Sequence, residues 1–181
     1  MARNVEIKAR IHDLRGAGKR AAAITGGGPS EELIQTDTYF NVPSGRLKLR
    51  EFAGGGIPGQ LIFYARPDEP LPRTSEYHIL EIANPAGLRE LLVLALGVKA
   101  IVSKERAVYL FRNVRIHLDD VADLGTFIEL EGVLDEDHPE EESLGLLGEL
   151  MREFSIAEED LLSKSYCELI DTGQRSSFNR P

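Results

Sequence analysis

Basic side chains recur at every second position along several segments of the sequence. Residues two apart on a β-strand point to the same face, so each segment would present its charges on one side. Six of the nine basic residues in this set are arginines, whose guanidinium groups can make bidentate contacts with phosphate. The pattern favours binding of a phosphate-rich anion. The set comprises Lys8, Arg10, Arg46, Lys48, Arg50, Arg66, Lys104, Arg106 and Arg115.

Four acidic residues, Glu6, Asp119, Glu129 and Glu131, share these faces and leave them with a net charge of +5. Carboxylate oxygens are the donors that Mg²⁺ or Mn²⁺ takes alongside substrate phosphates. Such an ion offsets developing charge and lowers the pKa of an attacking hydroxyl or water. The alternative is cross-strand ion pairing, which suits Asp119 better than Glu129 and Glu131, because two carboxylates on one face repel without a cation.

Period-two alternation predicts about eight strands, interrupted by three stretches with helical spacing. The predicted helices cover residues 13–24, residues 85–96, which Gly97 would end, and a segment that begins near Pro139. This order predicts an α+β fold that is mainly antiparallel β. The predicted strands are 5–11, 33–41, 46–52, 60–66, 75–82, 98–111, 113–119 and 126–133.

The charged strand faces allow two arrangements. In the first, they face solvent while the apolar faces form the core. In the second, helices cover the apolar faces from outside and the charges line the lumen of a barrel. Burying so many like charges would cost several kcal/mol per unpaired ion, so the second arrangement requires a wet cavity and a polyanionic ligand.

Composition sets the remaining limits. The 181 residues, 42% hydrophobic and 28% charged, suit a single globular domain, predicted over residues 1–172 with a loose tail at 173–181. A net charge of −9 argues against general binding of nucleic acid or an anionic membrane. The single Cys167 excludes an internal disulfide, and no signal-peptide or membrane-spanning segment is evident, so we expect a cytoplasmic protein.

Other chemistries find little support. Neither glycine run, at 26–28 or 54–56, precedes Lys-Ser or Lys-Thr, so the sequence has no P-loop. The four histidines lack zinc-ligand spacing, and of these only His117 shares the predicted inner face.

Five motifs stand in an order that resembles the CYTH superfamily of triphosphate tunnel metalloenzymes, which includes class IV adenylyl cyclases and thiamine triphosphatases. The resemblance covers about residues 3 to 171 and extends to Ser165-Tyr166-Cys167-Glu168-Leu169. The five are Asn4-Val5-Glu6-Ile7-Lys8, Gln35-Thr36-Asp37-Thr38-Tyr39-Phe40, Arg46-Leu47-Lys48-Leu49-Arg50, Lys104-Glu105-Arg106, and His117-Leu118-Asp119 with Leu124 to Glu131.

The resemblance implies a closed, tunnel-like barrel of eight antiparallel strands, with a polar lumen and helices packed outside, that holds a triphosphate with Mg²⁺ or Mn²⁺. It implies catalytic roles for Lys8, Arg106 and Asp119, the last as an acid near the metal or as a base. Asn4 replaces the first Glu of the family signature and brings an amide oxygen without charge. The implied metal ligands are Glu6, Glu129 and Glu131, with Asn4 as a further candidate, and the implied phosphate ligands are Lys8, Lys48, Arg50, Arg66, Lys104 and Arg106, with Arg73 as a further candidate.

Three functions stay open on this basis. The first, which we favour, is a cyclase that converts ATP to cyclic AMP and pyrophosphate; the segment before Gly125 is similar to the branch of cyclases and thiamine triphosphatases rather than to RNA triphosphatases. The second is a hydrolase that resembles thiamine triphosphatase or tripolyphosphatase. The third is a non-catalytic protein that binds nucleotide or polyphosphate, as the Asn4 substitution would allow. The partners expected are a nucleotide or other organic triphosphate, or inorganic polyphosphate, and the resemblance to cyclases allows a homodimer.

Overall fold

A computed structural model describes residues 2–65 and 73–170, with the backbone alone described at residue 2 and at residues 73–76. The predicted phosphate ligand Arg66 and the tail at 173–181 lie outside these residues, as does the side chain of Arg73.

The described chain contains eight strands and three longer α-helices, followed by a short 3₁₀ turn, Glu158–Asp160, and a helical stretch at 166–170. The helices are α1 (Leu14–Thr25), α2 (Pro85–Leu96) and α3 (Glu140–Glu153). The strands are β1 (Ala2–Arg10), β2 (Glu31–Phe40), β3 (Arg46–Phe52), β4 (Gly59–Ala65), β5 (Arg73–Ile82), β6 (Val98–Phe111), β7 (Val114–Val121) and β8 (Gly125–Leu134).

The strands form a closed antiparallel barrel in the order β1-β5-β4-β3-β2-β6-β7-β8. Closure comes from β1, which pairs with β5 on one side and with β8 on the other. Because residues two apart on a strand share a face, closure sends one side of every strand into the lumen. The predicted fold class and tunnel-like barrel are confirmed.

The apolar core lies outside the barrel wall, beneath two of the helices. Val5, Ile7 and Ala9 of β1 are buried in one cluster with Ala21 of α1 and Leu147 of α3. The helices therefore cover the apolar strand faces from outside, as predicted for α1 and α3. The third helix, α2, packs against β2 and β3 but buries none of its residues, so this part of the covering is incomplete.

Local chemistry explains where the helices begin and end. At the start of α1, the Asp13 side chain accepts a hydrogen bond from the Gly16 amide. At the start of α2, the Asn84 side chain accepts one from the Gly87 amide. After α2, Gly97 takes a positive φ of 70°, which side chains disfavour. Within residues 2–65 and 73–170, no helix is long and apolar enough to span a membrane.

Candidate functional site

The barrel encloses a cavity of about 480 Å³ that the charged strand faces line. Glu6 and Lys8 reach it from β1, and Lys48 and Arg50 reach it from β3. Of the two arrangements open from the sequence, the structure therefore has the barrel with a charged lumen. The basic lining residues described are Lys8, Lys48, Arg50, Lys104, Arg106 and Arg115, and the acidic ones are Glu6, Glu31, Asp37, Glu129 and Glu131.

Among the described side chains, six basic against five acidic lining residues leave a net charge of +1, below the +5 predicted for a face that also included Arg66 and Asp119. Two predicted cations have other partners. Arg10 donates to the Leu124 carbonyl oxygen at 2.8 Å, and Arg46 donates to Glu168 at 2.9 Å. The count from the sequence also left out Asp37, which adds a negative charge to the lumen.

One ion-pair cluster joins β2 to β3. Arg50 donates to Asp37 through Nε at 2.8 Å and Nη2 at 2.9 Å, and the Lys48 ammonium donates to the same carboxylate at 2.8 Å. The strand register sets Asp37 directly opposite Arg50, which explains the bidentate geometry. Burial by itself would raise the pKa of Asp37, but Arg50 and Lys48 hold it well below its ordinary value.

A second cluster joins β6 to β7. The Arg106 Nε and Nη2 atoms each lie 2.6 Å from an Asp119 oxygen, and Nη2 also donates to Glu129 at 2.6 Å. Lys104 lies 3.3 Å from the Asp119 carboxylate, which is fully buried. In this arrangement Asp119 orients the guanidinium of Arg106, a predicted phosphate ligand.

Two lysines of the lumen have pKa values that are lowered towards neutral pH. Burial, reinforced by the Arg106 charge, lowers the pKa of Lys104 to about 7. Burial and the Arg50 charge lower the pKa of Lys48 to about 8. A bound anion would favour the protonated form of each lysine.

The opposite wall carries the carboxylates. Lys8 lies 2.8 Å from Glu129, and Glu131 accepts a hydrogen bond from the Asn4 amide nitrogen. His117 lies between the two carboxylates, with Nδ1 3.6 Å from Glu129 and Nε2 3.6 Å from Glu131. Two buried atoms there, Asn4 Oδ1 and His117 Nδ1, have no hydrogen-bond partner.

The predicted metal ligands are brought together only in part. Glu6 stands directly opposite Glu131 in the β1–β8 register, and both line the cavity. In residues 2–65 and 73–170, however, no three His, Cys, Asp or Glu side chains form a ready-made metal cluster. Ion pairs explain this, because Glu129 is held by Lys8 and Arg106.

The segment after α3 closes one end of the lumen. The Leu162 amide donates to the Lys8 carbonyl oxygen at 2.8 Å, which ties this segment to β1. Tyr166 then places its ring 3.5 Å from the Lys8 ammonium and donates its hydroxyl to Asp119 at 2.8 Å. No role was predicted for Tyr166, which begins a short helical stretch at 166–170 after an irregular segment.

The other end of the lumen, where β2 begins and β3 and β6 end, is mainly apolar, with Glu31 and Arg115 as its charged members. Its exposed members include Ile57, Ile79 and Leu110, which are 45%, 49% and 55% exposed. The cavity thus combines a charged middle with an apolar mouth. The apolar lining residues there are Leu33, Phe52, Ile57, Ile79, Val108 and Leu110.

Comparison with known proteins agrees with this geometry. The CYTH domain family model matches residues 2–166, nearly the whole chain. The chain belongs to the CYTH family. Membership implies a triphosphate ligand and dependence on a divalent metal ion. The donors present fit such an ion, because Glu129 and Glu131 lie beside two buried polar atoms that lack a partner, Asn4 Oδ1 and His117 Nδ1.

Individual CYTH relatives resemble the chain over almost their full length. A curated protein of Methanocaldococcus jannaschii, named "Putative adenylate cyclase MJ0240", is 25% identical over 91% of this chain and 97% of its own. The PH1012 protein from Pyrococcus horikoshii OT3 is 27% identical, with a TM-score of 0.78 over 92% of this chain and 98% of its own. The fold of HpAC1 from Hippeastrum, described as revealing a dominant triphosphatase activity, matches with a TM-score of 0.66 at 15% identity over 96% of both chains.

Proposed function

We propose that this CYTH protein is a metal-dependent enzyme that acts on an organic triphosphate, most like a class IV adenylyl cyclase that converts ATP to cyclic AMP and pyrophosphate. The observation that carries the proposal is the pair of arginine–lysine clusters that line one cavity, Lys104 with Arg106, which are buried, and Lys48 with Arg50, which are partly buried. The adenylate cyclase name of the M. jannaschii relative supports this choice.

The lumen provides positioning and charge, which account for most of the catalysis of phosphoryl transfer. Arg50 and Arg106 would bind phosphate oxygens through guanidinium groups that Asp37 and Asp119 already orient. Lys48 and Lys104 would add charge as the anion raises their pKa. The preorganised donors then stabilise the charge that develops at the reacting phosphorus.

In the cyclase reaction, the ribose 3′-hydroxyl attacks the α-phosphorus and pyrophosphate leaves. A divalent ion held by Glu6, Glu129 and Glu131, when bound, would neutralise phosphate charge and acidify the attacking hydroxyl. Lys8, which lies 2.8 Å from Glu129, would stabilise the leaving phosphate charge from the same wall. Asp119 is fully buried and accepts hydrogen bonds from Arg106, so in this reaction it would hold the guanidinium in place.

The apolar mouth favours an organic triphosphate over an inorganic one. Leu33, Phe52 and Val108 offer a base or another flat ring an apolar surface, which inorganic tripolyphosphate could not use. The second candidate is hydrolysis, in which water attacks the terminal phosphorus. The triphosphatase activity described for HpAC1, which shares this fold, favours that candidate.

A product screen tests the proposal. ATP, thiamine triphosphate and inorganic tripolyphosphate are each incubated with Mg²⁺ or Mn²⁺, and the products are separated by chromatography. We expect cyclic AMP and pyrophosphate from ATP, lost in Arg106→Ala and kept in Glu105→Ala, which alters an exposed carboxylate on the same strand. Orthophosphate without cyclic AMP would assign the hydrolase, and triphosphate binding without any turnover would leave a non-catalytic binding protein.

A further inference from the structure

His117 is a buried imidazole that lies between the carboxylates of Glu129 and Glu131. It is 8% exposed and lines the cavity, and its Nδ1 atom has no hydrogen-bond partner. Burying a polar nitrogen without a partner is costly, so histidines kept for packing normally satisfy both ring nitrogens. An unsatisfied nitrogen that faces a carboxylate-lined cavity is instead suited to receive a ligand.

The distances around His117 are close to those between donors that share one ion. Its Nδ1 lies 3.6 Å from Glu129 Oε2, which is too long for a normal hydrogen bond. Neighbouring donors on one octahedral ion, each bound at about 2.1 Å, lie about 3.0 Å apart, so a small movement of the ring or the carboxylate would bring both atoms onto one ion. Its Nε2 lies 3.6 Å from Glu131 Oε2, so a second carboxylate stands beside the ring.

Asn4 makes the set of metal donors less negative. Its amide nitrogen donates to Glu131, which leaves the buried Oδ1 atom without a partner. This oxygen is neutral, so the site carries one negative charge fewer than a site with glutamate at this position. Mg²⁺ and Mn²⁺ both favour oxygen donors, but Mg²⁺ is bound mainly through carboxylates, phosphates and water, whereas Mn²⁺ belongs to the first-row series of ions that sites with nitrogen donors also bind.

We propose that His117 is a ligand of the divalent ion and that, together with Asn4, it makes this tunnel select Mn²⁺ over Mg²⁺. The inference extends the metal dependence in the proposed function, but it does not depend on which reaction the tunnel catalyses. It concerns only the donors on the β1, β7 and β8 wall.

Pulsed electron paramagnetic resonance of bound Mn²⁺ tests the proposal directly. The full chain is freed of metal with a chelator and loaded with Mn²⁺, with and without tripolyphosphate as co-ligand. We expect a ¹⁴N coupling from a directly bound imidazole, replaced by a ¹⁵N coupling when histidine is ¹⁵N-labelled. Absence of nitrogen coupling from every Mn²⁺-bound sample, or absence of Mn²⁺ binding in both conditions, overturns the proposal.

Binding constants provide the second measurement. We expect His117→Gln to weaken Mn²⁺ binding about tenfold or more, and Mg²⁺ binding, measured by competition, less than threefold. Asn4→Glu should strengthen Mg²⁺ binding and reduce the preference for Mn²⁺ over Mg²⁺. The matched control is His78→Gln, which alters an exposed histidine of β5 and should change neither constant. Equal weakening of both ions in His117→Gln would show a merely structural histidine.

The two levels of inference fail separately. A nitrogen-coupled Mn²⁺ site in a protein that turns over no triphosphate would refute the enzymatic function and leave the His117 assignment intact. Turnover of a triphosphate by a protein whose Mn²⁺ is bound only by oxygen atoms would support the enzymatic function and refute the His117 assignment. If His117→Gln does not fold, the ¹⁴N and ¹⁵N spectra of the wild-type chain decide the question alone.

Discussion

The cations of the lumen are already paired before any phosphate arrives. Arg50 and Lys48 share Asp37, while Arg106 holds Asp119 and Glu129 together. A triphosphate therefore gains less than a count of basic residues suggests, because its oxygens must compete with carboxylates or bind beside them. The paired carboxylates orient the donors and at the same time reduce the charge that the ligand experiences.

Asp37→Asn separates these two effects. The amide cannot balance Lys48 and Arg50, so we expect the free energy of unfolding to fall by about 3 kcal/mol in urea denaturation, the cost of breaking a buried ion pair. The released cations should bind tripolyphosphate several-fold more tightly in calorimetry. The control is Asp120→Asn, which removes an exposed carboxylate of β7. Weaker tripolyphosphate binding in Asp37→Asn would mean that orientation by Asp37 outweighs its competition.

Strands and helices were largely predictable because local patterns specify them. The predicted bounds of α2, β3 and β6 equal those observed, since Pro85 and Gly97 delimit the helix and strict alternation marks the strands. Alternation also identified the inward positions of Lys48, Arg50, Lys104 and Arg106. The assigned roles of the site residues stay predictions.

Other features depend on tertiary placement, which a local pattern does not contain. Asp37 stood in a quoted motif and on the inward side of β2, but only the pairing of β2 with β3 sets it opposite Arg50. Similarly, Tyr166 follows an irregular segment, and the contact of that segment with β1 places the Tyr166 ring against Lys8. The contacts of Arg10 with Leu124 and of Arg46 with Glu168 likewise depend on tertiary placement.

The closing segment can be tested at Tyr166. Tyr166→Phe keeps the ring over Lys8 but removes the hydrogen bond to Asp119, so we expect a loss of about 2 kcal/mol of unfolding free energy. Tyr166→Ala also removes the buried ring and should cost about 4 kcal/mol. Urea denaturation measures both losses. Equal losses in the two variants would show that the ring contributes nothing beyond its hydroxyl.

Charge is segregated across the whole molecule. The chain carries a net charge of −9, whereas the described lining of the lumen carries +1. The outer surface therefore repels a polyanion, and the lumen attracts it only over a short range. Under these conditions the protonation of two lysines decides much of the affinity, because each contributes a full charge to a lining that is close to neutral.

Affinity for a triphosphate should therefore fall as pH rises. Lys104 and Lys48, with pKa values lowered to about 7 and 8 by burial and by neighbouring arginines, are charged below these values and lose their charge above them. We expect the dissociation constant of tripolyphosphate, measured by calorimetry with EDTA present, to rise about tenfold or more between pH 6.5 and 9. In Lys104→Arg the guanidinium stays charged throughout this pH range, so the dissociation constant of this variant should rise less. The titration of tripolyphosphate itself is common to both proteins, and parallel curves for the wild type and Lys104→Arg would therefore exclude Lys104 as the titrating group.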